Sequence, residues 1–130
     1  MIRILAGAAT GIAIAIVLMM IVEAAGNAIA PPPALDLSNP NAPSALPAVN
    51  QLFPVLGWFL ATLAGGWFAI QISSRSWASW IIAGSVLVGA LMDYLLGRHP
   101  VWVIATGVFA PAAAAWIAQK LPGRSRRTSA

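Results

Sequence analysis

Residues 23–36 read EAAGNAIAPPPALD, and the rest of the chain is organised by which side of a membrane they occupy. Behind them lies an unbroken apolar run, residues 4–22. At about 1.5 Å per residue such a run matches the roughly 30 Å hydrocarbon core of a bilayer. Glu23 puts a carboxylate at the end of that run. Pro31, Pro32 and Pro33 then block further helix, because proline has no backbone N–H and clashes with the preceding turn. Prolines in series favour polyproline II, which has no internal hydrogen bonds and therefore needs water.

A cleaved signal peptide is the rival reading, with Arg3 in a basic leader and Ala28-Ile29-Ala30 as the cleavage triplet. The apolar run exceeds the roughly 7–15 residues of a signal-peptide core. Pro31 would also follow the cut, where a proline fits an extended protease groove poorly. The segment is therefore read as a retained span.

Composition agrees. The 130 residues are 60% hydrophobic and 8% charged, with a mean hydropathy of +0.85. Soluble domains carry about 25% charged residues, so lipid has to be the solvent for much of this surface. Without cysteine, disulfides and thiolate metal sites are excluded. Lys120, Arg124, Arg126 and Arg127 supply four of the seven cations behind the net charge of +4. They form a tail, which reads as a topology signal or an anionic-lipid contact rather than a nucleic-acid patch.

Three further spans follow, over about 52–72, 77–96 and 101–118, the first covering about 4–23. Residues 1–120 thus make one membrane domain, with a proline-rich outer loop at 30–51 and a basic cytoplasmic tail at 121–130. In the loop, Ser38 or Asn39 is placed to cap a short interfacial helix with Pro40 in its first turn. The joints at 73–76 and 97–100 are tight and make antiparallel neighbours. Pro111 is expected to kink the fourth helix. The fold class is all-α, a four-helix transmembrane bundle.

With the N-terminus inside, Arg3, Arg75, Lys120 and the tail arginines are cytoplasmic and only Arg98 is outside, as the retention of positive residues in short cytoplasmic loops requires. Both termini are then cytoplasmic. Trp58 and Trp102 fall towards the outer interface, and Trp67, Trp77, Trp80 and Trp116 towards the inner one, as in aromatic belts.

Helices in lipid associate by close backbone approach, which needs small residues. Steps of four give Gly7, Gly11 and Ala15, running on to Met19, Glu23 and Asn27 in the first span. The second gives Gly57, Ala61, Gly65, Ala69 and Ser73. The third gives Ser85, Gly89, Asp93 and Gly97, and the fourth Gly107, Pro111 and Ala115. The second ridge is expected to lie against other helices, with right-handed crossings near −40°.

Asp93 is the one acid inside a predicted span, at an insertion cost of about 2.5–3.5 kcal/mol if it lay at the bilayer centre. Its place one turn before Gly97 lowers that figure. Glu23, Asn27, Asp93, Tyr94, Arg98 and His99 fall at one membrane depth and form the candidate polar cluster. Three readings remain open. Arg98 pairs with Asp93 or Glu23 and pins helix ends; or one acid stays unpaired, with a raised pKa, as a proton or cation site; or Glu23, Asp93 and His99 bind a metal, a weak signal with a single histidine. No catalytic motif is present, and no enzyme activity or cofactor is expected.

The segment E-x-x-G-N-x-I-x-P-P-P-x-L-D, with Gly65-Gly66 in the second span, resembles that of a group of small four-helix proteins of bacterial inner membranes. The likeness covers most of the chain; its specific part is Glu23, Gly26, the three prolines and Asp36. The group commonly has a histidine where this chain has Asn27, which weakens a metal or proton-relay reading here. The resemblance implies a bacterial inner membrane and carries no activity. Small multidrug transporters have the same size, but their glutamate lies mid-membrane in the first helix, whereas Glu23 ends it. The expectation is a non-enzymatic accessory, assembly or structural subunit, in contact with lipid and with another membrane protein or a second copy. The alternative is a small proton- or cation-linked transporter or channel using Glu23 and Asp93.

Overall fold

In the computed structural model, which describes residues 1–34, 36, 38–40, 46–97 and 99–123, the chain is all-helical and no strand occurs among the described residues. The elements are α1 (Ile2–Ile29), α2 (Ala48–Ser73), α3 (Ala78–Leu95) and α4 (Val101–Lys120). Each is long and apolar enough to cross a membrane. This is the architecture of a multi-pass membrane protein.

Two helices outrun their predicted spans. α1 continues through Glu23 to Ile29, because nothing in the alanine-rich stretch after Glu23 breaks a helix. It stops where Ala30 precedes proline and is driven out of the α region, to φ −131° and ψ 79°. α2 begins at Ala48, directly after Pro47. The Asn50 side-chain amide donates to the Ala30 carbonyl at 2.6 Å, so α2 caps the end of α1 across the loop. At 1.5 Å per residue, α1 projects about 9 Å beyond Glu23.

The interfacial helix expected after Ser38 or Asn39 is not formed by the described residues around it. Instead the Asp36 Oδ1 accepts the Ser38 hydroxyl at 2.6 Å and the Ser38 backbone N–H at 3.0 Å. That local turn competes with helix initiation. Residues 41–45, where the rest of that expectation falls, lie outside the described residues. The Ser38 hydroxyl, and then its N–H, hold the Asp36 carboxyl below the usual carboxylate range. The contribution of this turn is full above the ordinary pKa and fades as pH falls through the lowered one.

α2 is the central helix and touches all three others. Gly57, Ala61, Gly65, Ala69 and Ser73 are all buried on it, and α1 lies along them with Gly7, Gly11 and Ala15 buried. A Cβ on Gly11 would stand 2.6 Å from the Gly65 carbonyl oxygen, and one on Gly65 would run into the Gly11 carbonyl. The two backbones are in contact, which only small residues allow. Ile82 of α3, fully buried, wedges into this junction, its methyls 2.8 Å and 3.2 Å from those same two Cβ positions. On the other side of α2, Gly66 faces Ser79 and Ala118, and Gly107 faces the Trp58 ring.

The small-residue ridge of α3 is not its packing face. Ser85, Gly89 and Gly97 are exposed, and no atom lies within 4 Å of a Cβ on Gly89 or Gly97. The buried stripe is instead Ala78, Ile82, Val86 and Ala90. α2 offers mostly small residues, so the space beside it needs the larger side chains of Ile82 and Val86. Ser85 turns its hydroxyl back onto the Ile81 carbonyl at 2.9 Å.

Ser74, at φ 58°, ends α2, and Gly97, at φ 68°, follows α3. Both joints return the chain antiparallel. Gln119 of α4 accordingly donates to the Ser79 hydroxyl at the start of α3 at 3.2 Å, and the longer connection over 30–47 brings Gly7 of α1 beside Ser73 at the end of α2. Arg3, Arg75 and Lys120 share this end of the bundle. Glu23 and Asp93 share the other.

Candidate functional site

The end of the bundle that carries Glu23 and Asp93 is shaped by how α1 and α2 diverge. They are in backbone contact at Gly11 and Gly65, but a Cβ on Gly57 would have its nearest neighbour, Val22, at an ordinary 3.6 Å. Above that level a cavity of about 450 Å³ opens between the helices, within the roughly 300–1,000 Å³ of small-molecule sites. α1 supplies Met19, Glu23, Gly26 and Asn27 to its wall. α2 supplies Asn50, Phe53, Pro54, Gly57 and Trp58, and Asp93 of α3 and His99 beyond it complete the polar side.

Each wall has a local cause. Gly26 is buried, and a Cβ there would stand 2.6 Å from the Phe53 ring; the side chain therefore packs against the bare α1 backbone. Trp58, only 4% exposed, closes the floor. It meets the His99 ring edge-on, with centroids 5.8 Å apart and planes at 88°, and lies against the bare backbone of Gly107. His99 Nε2 stands 4.0 Å from the Asp93 Oδ2, an electrostatic contact too long for a hydrogen bond. Pro54 has no N–H to give the Asn50 carbonyl four residues back, so that acceptor lacks its helical donor beside the cavity.

Four of the six residues expected to cluster, Glu23, Asn27, Asp93 and His99, line this one cavity. Tyr94 does not; it is 43% exposed, one residue and about 100° around the helix from Asp93. Arg98, and with it the expected pairing to Asp93 or Glu23, lies outside the described residues. Among the described residues no three of His, Cys, Asp and Glu come close enough to hold a metal ion, so Glu23, Asp93 and His99 share a cavity without forming a ligand set. No serine, threonine or cysteine is in the described lining, which leaves no side-chain hydroxyl or thiol nucleophile there.

Sequence reasoning missed Trp58, Phe53, Asn50 and Pro54. Trp58 was expected at the outer aromatic belt; the structure buries it. The reason lies on α4, where Gly107 leaves a slot that an indole fills. Trp77, Trp80, Trp102 and Trp116 are each more than 40% exposed, as belt residues are. For Asn50 a signal existed: an amide just ahead of an apolar span has to find a partner. Beneath the floor, the fully buried Thr62 has a hydroxyl without a hydrogen-bond partner.

No protein-family model, curated protein or solved structure matches this chain.

Proposed function

We propose that this chain is a small, non-enzymatic protein of the bacterial inner membrane, with both termini in the cytoplasm, acting as an accessory subunit that binds at its outward end. The observation that carries this reading is the asymmetry of the bundle. At one end α1 and α2 pack through glycine and alanine at backbone contact, and the cavity beside Thr10, Trp67 and Gln71 has no acid in its described lining; at the other a cavity is lined by Glu23 and Asp93. The cations Arg3, Arg75 and Lys120 at the acid-free end support its assignment to the cytoplasm, where they and the basic tail meet anionic lipid. The likeness of residues 23–36 to small bacterial membrane proteins supports the choice of membrane.

Transport is the second reading, favoured by two carboxylates on one cavity. The blocked floor argues against it: Trp58 closes one side, and Ala61 and Gly65, buried below Gly57, close the other.

The absence of native cysteine makes the test direct. Single cysteines replacing Ala34 and Ser76, both exposed, are expected to differ in intact cells. Ala34→Cys is labelled by an impermeant maleimide, and Ser76→Cys only after lysis. Reconstituted vesicles are expected to hold a proton or cation gradient as long as protein-free ones. A leak abolished by Glu23→Gln with Asp93→Asn would replace this reading with transport.

A further inference from the structure

A cavity of about 800 Å³ lies between α1 and α2 at the end away from Glu23 and Asp93. Its walls are Thr10 of α1 and Trp67, Phe68 and Ile72 of α2; Phe68 is 42% exposed. The chain after α4 forms its lip. Leu121 leaves the helix in an extended conformation, and Gly123 then comes so close to Gln71 that a Cβ would stand 2.8 Å from the side-chain amide nitrogen. The segment after α4 thus crosses onto α2, and Arg124, Arg126 and Arg127 follow this lip in the sequence.

Cations surround this groove and acids do not. Arg3 lies on the Thr10 face of α1, seven residues away, so about 20° round the helix and about 10 Å along it. Arg75 follows Ile72 by three residues and Lys120 precedes Pro122 by two; all three cations are exposed. Of the three acids in the sequence, Glu23 is thirteen residues from Thr10, about 20 Å along α1. Asp36 follows that far end of α1, and Asp93 lines the other cavity. An apolar groove that opens among cations is complementary to an amphiphile with an anionic head. A zwitterionic headgroup would bring its own cation among these. A second copy would bring a second basic end, and a soluble anion would leave the apolar walls unused.

We propose that this groove holds one anionic phospholipid of the cytoplasmic leaflet, with an acyl chain against Trp67, Phe68 and Ile72 and its phosphate at the rim between Arg3 and Lys120. This rests on the cytoplasmic assignment proposed above and gives the lipid contact named there a defined seat.

Native mass spectrometry of the full-length chain in mild detergent, titrated with phosphatidylglycerol and phosphatidylethanolamine of the same acyl chains, counts the lipids retained. The expected result is one phosphatidylglycerol held about tenfold more tightly than phosphatidylethanolamine. Arg3→Gln with Lys120→Gln is expected to remove most of that preference, since one cation near a lipid surface is worth about fivefold. Thr10→Trp fills the groove and leaves every cation in place; it is expected to weaken phosphatidylglycerol retention about tenfold. Gly84→Trp, the same bulk on a face of α3 with no atom within 4 Å, is expected to leave it unchanged. Circular dichroism and size exclusion check that the variants fold. Equal retention of the two lipids, or a preference indifferent to the loss of both cations, would overturn the proposal. So would retention indifferent to Thr10→Trp, which would show a diffuse contact of the basic end. Displacement of the lipid by inorganic phosphate, or a dimeric mass, would overturn it in favour of a soluble anion or a second copy. If Ala34→Cys and Ser76→Cys still label on opposite faces in any of these cases, only the groove assignment fails; labelling on one face would remove the underlying reading instead.

Discussion

Gly65→Leu is expected to separate α1 from α2 and to destabilise the bundle by about 3 kcal/mol or more, at the upper end of overpacking penalties. The first added carbon would already run into the Gly11 carbonyl, with Ile82 Cγ2 at 3.2 Å and the Ala15 methyl at 3.3 Å on the remaining sides. A carbonyl cannot rotate away as a side chain can, so the helices themselves have to move. Moving them loses the contacts of Gly7, Ala15 and Ala69 along the same seam. The internal control is Gly89→Leu, where no atom lies within 4 Å of the new Cβ. That substitution is expected to be neutral or slightly stabilising, because leucine is the better helix former. Unfolding in a titration of SDS against mild detergent, followed by circular dichroism, compares the two. Equal effects would mean that the α1–α2 seam is not held by backbone contact.

Trp58→Ala is the second large expected effect, about 3–5 kcal/mol by the usual cost of deleting a buried aromatic. The indole is the largest group between α2 and α4, and both its neighbours depend on it. Gly107 offers no side chain to fill the space, and His99 loses the ring it meets edge-on. The void would join the cavity above, so the loss should be partly recovered by a bulky residue from the opposite wall. Gly107→Phe in the Trp58→Ala background is expected to be more stable than Trp58→Ala alone, whereas Gly107→Phe in the wild type clashes. The same detergent titration gives the double-mutant cycle. Additive losses would show that Trp58 and Gly107 do not share the slot.

Much of this was legible in the sequence, for physical reasons that also explain the rest. Four apolar runs of membrane length, broken by proline, serine and glycine, admit little besides four helices. Helix ends were less legible, because alanine after Glu23 favours helix whether lipid or water surrounds it. The small-residue ridges show the limit most clearly. The runs at Gly57 and at Ser85 have the same step of four and similar composition. One is buried against α1; in the other Ser85, Gly89 and Gly97 face outward and only Asp93 reaches the cavity, because α3 packs through Ile82 and Val86 instead. Facing is a property of pairs of helices, which no single ridge encodes. For the site, a common membrane depth for Glu23, Asn27, Asp93 and His99 followed from counting residues out from each turn. Depth says nothing about rotation, so Tyr94 was included and Trp58 was assigned to the outer aromatic belt.

The divergence of α1 from α2 above their glycine junction makes α1 a lever. Its fulcrum is Gly11 and its arm runs twelve residues to Glu23, about 18 Å at 1.5 Å per residue. A swing of only about ten degrees about that fulcrum carries the carboxylate through about 3 Å, the length of one hydrogen bond. The aperture at one face of the bilayer is thus set at two points, by the fit of two glycines buried well below it and by the clasp of Phe53 on Gly26 and Asn50 on Ala30 beyond it.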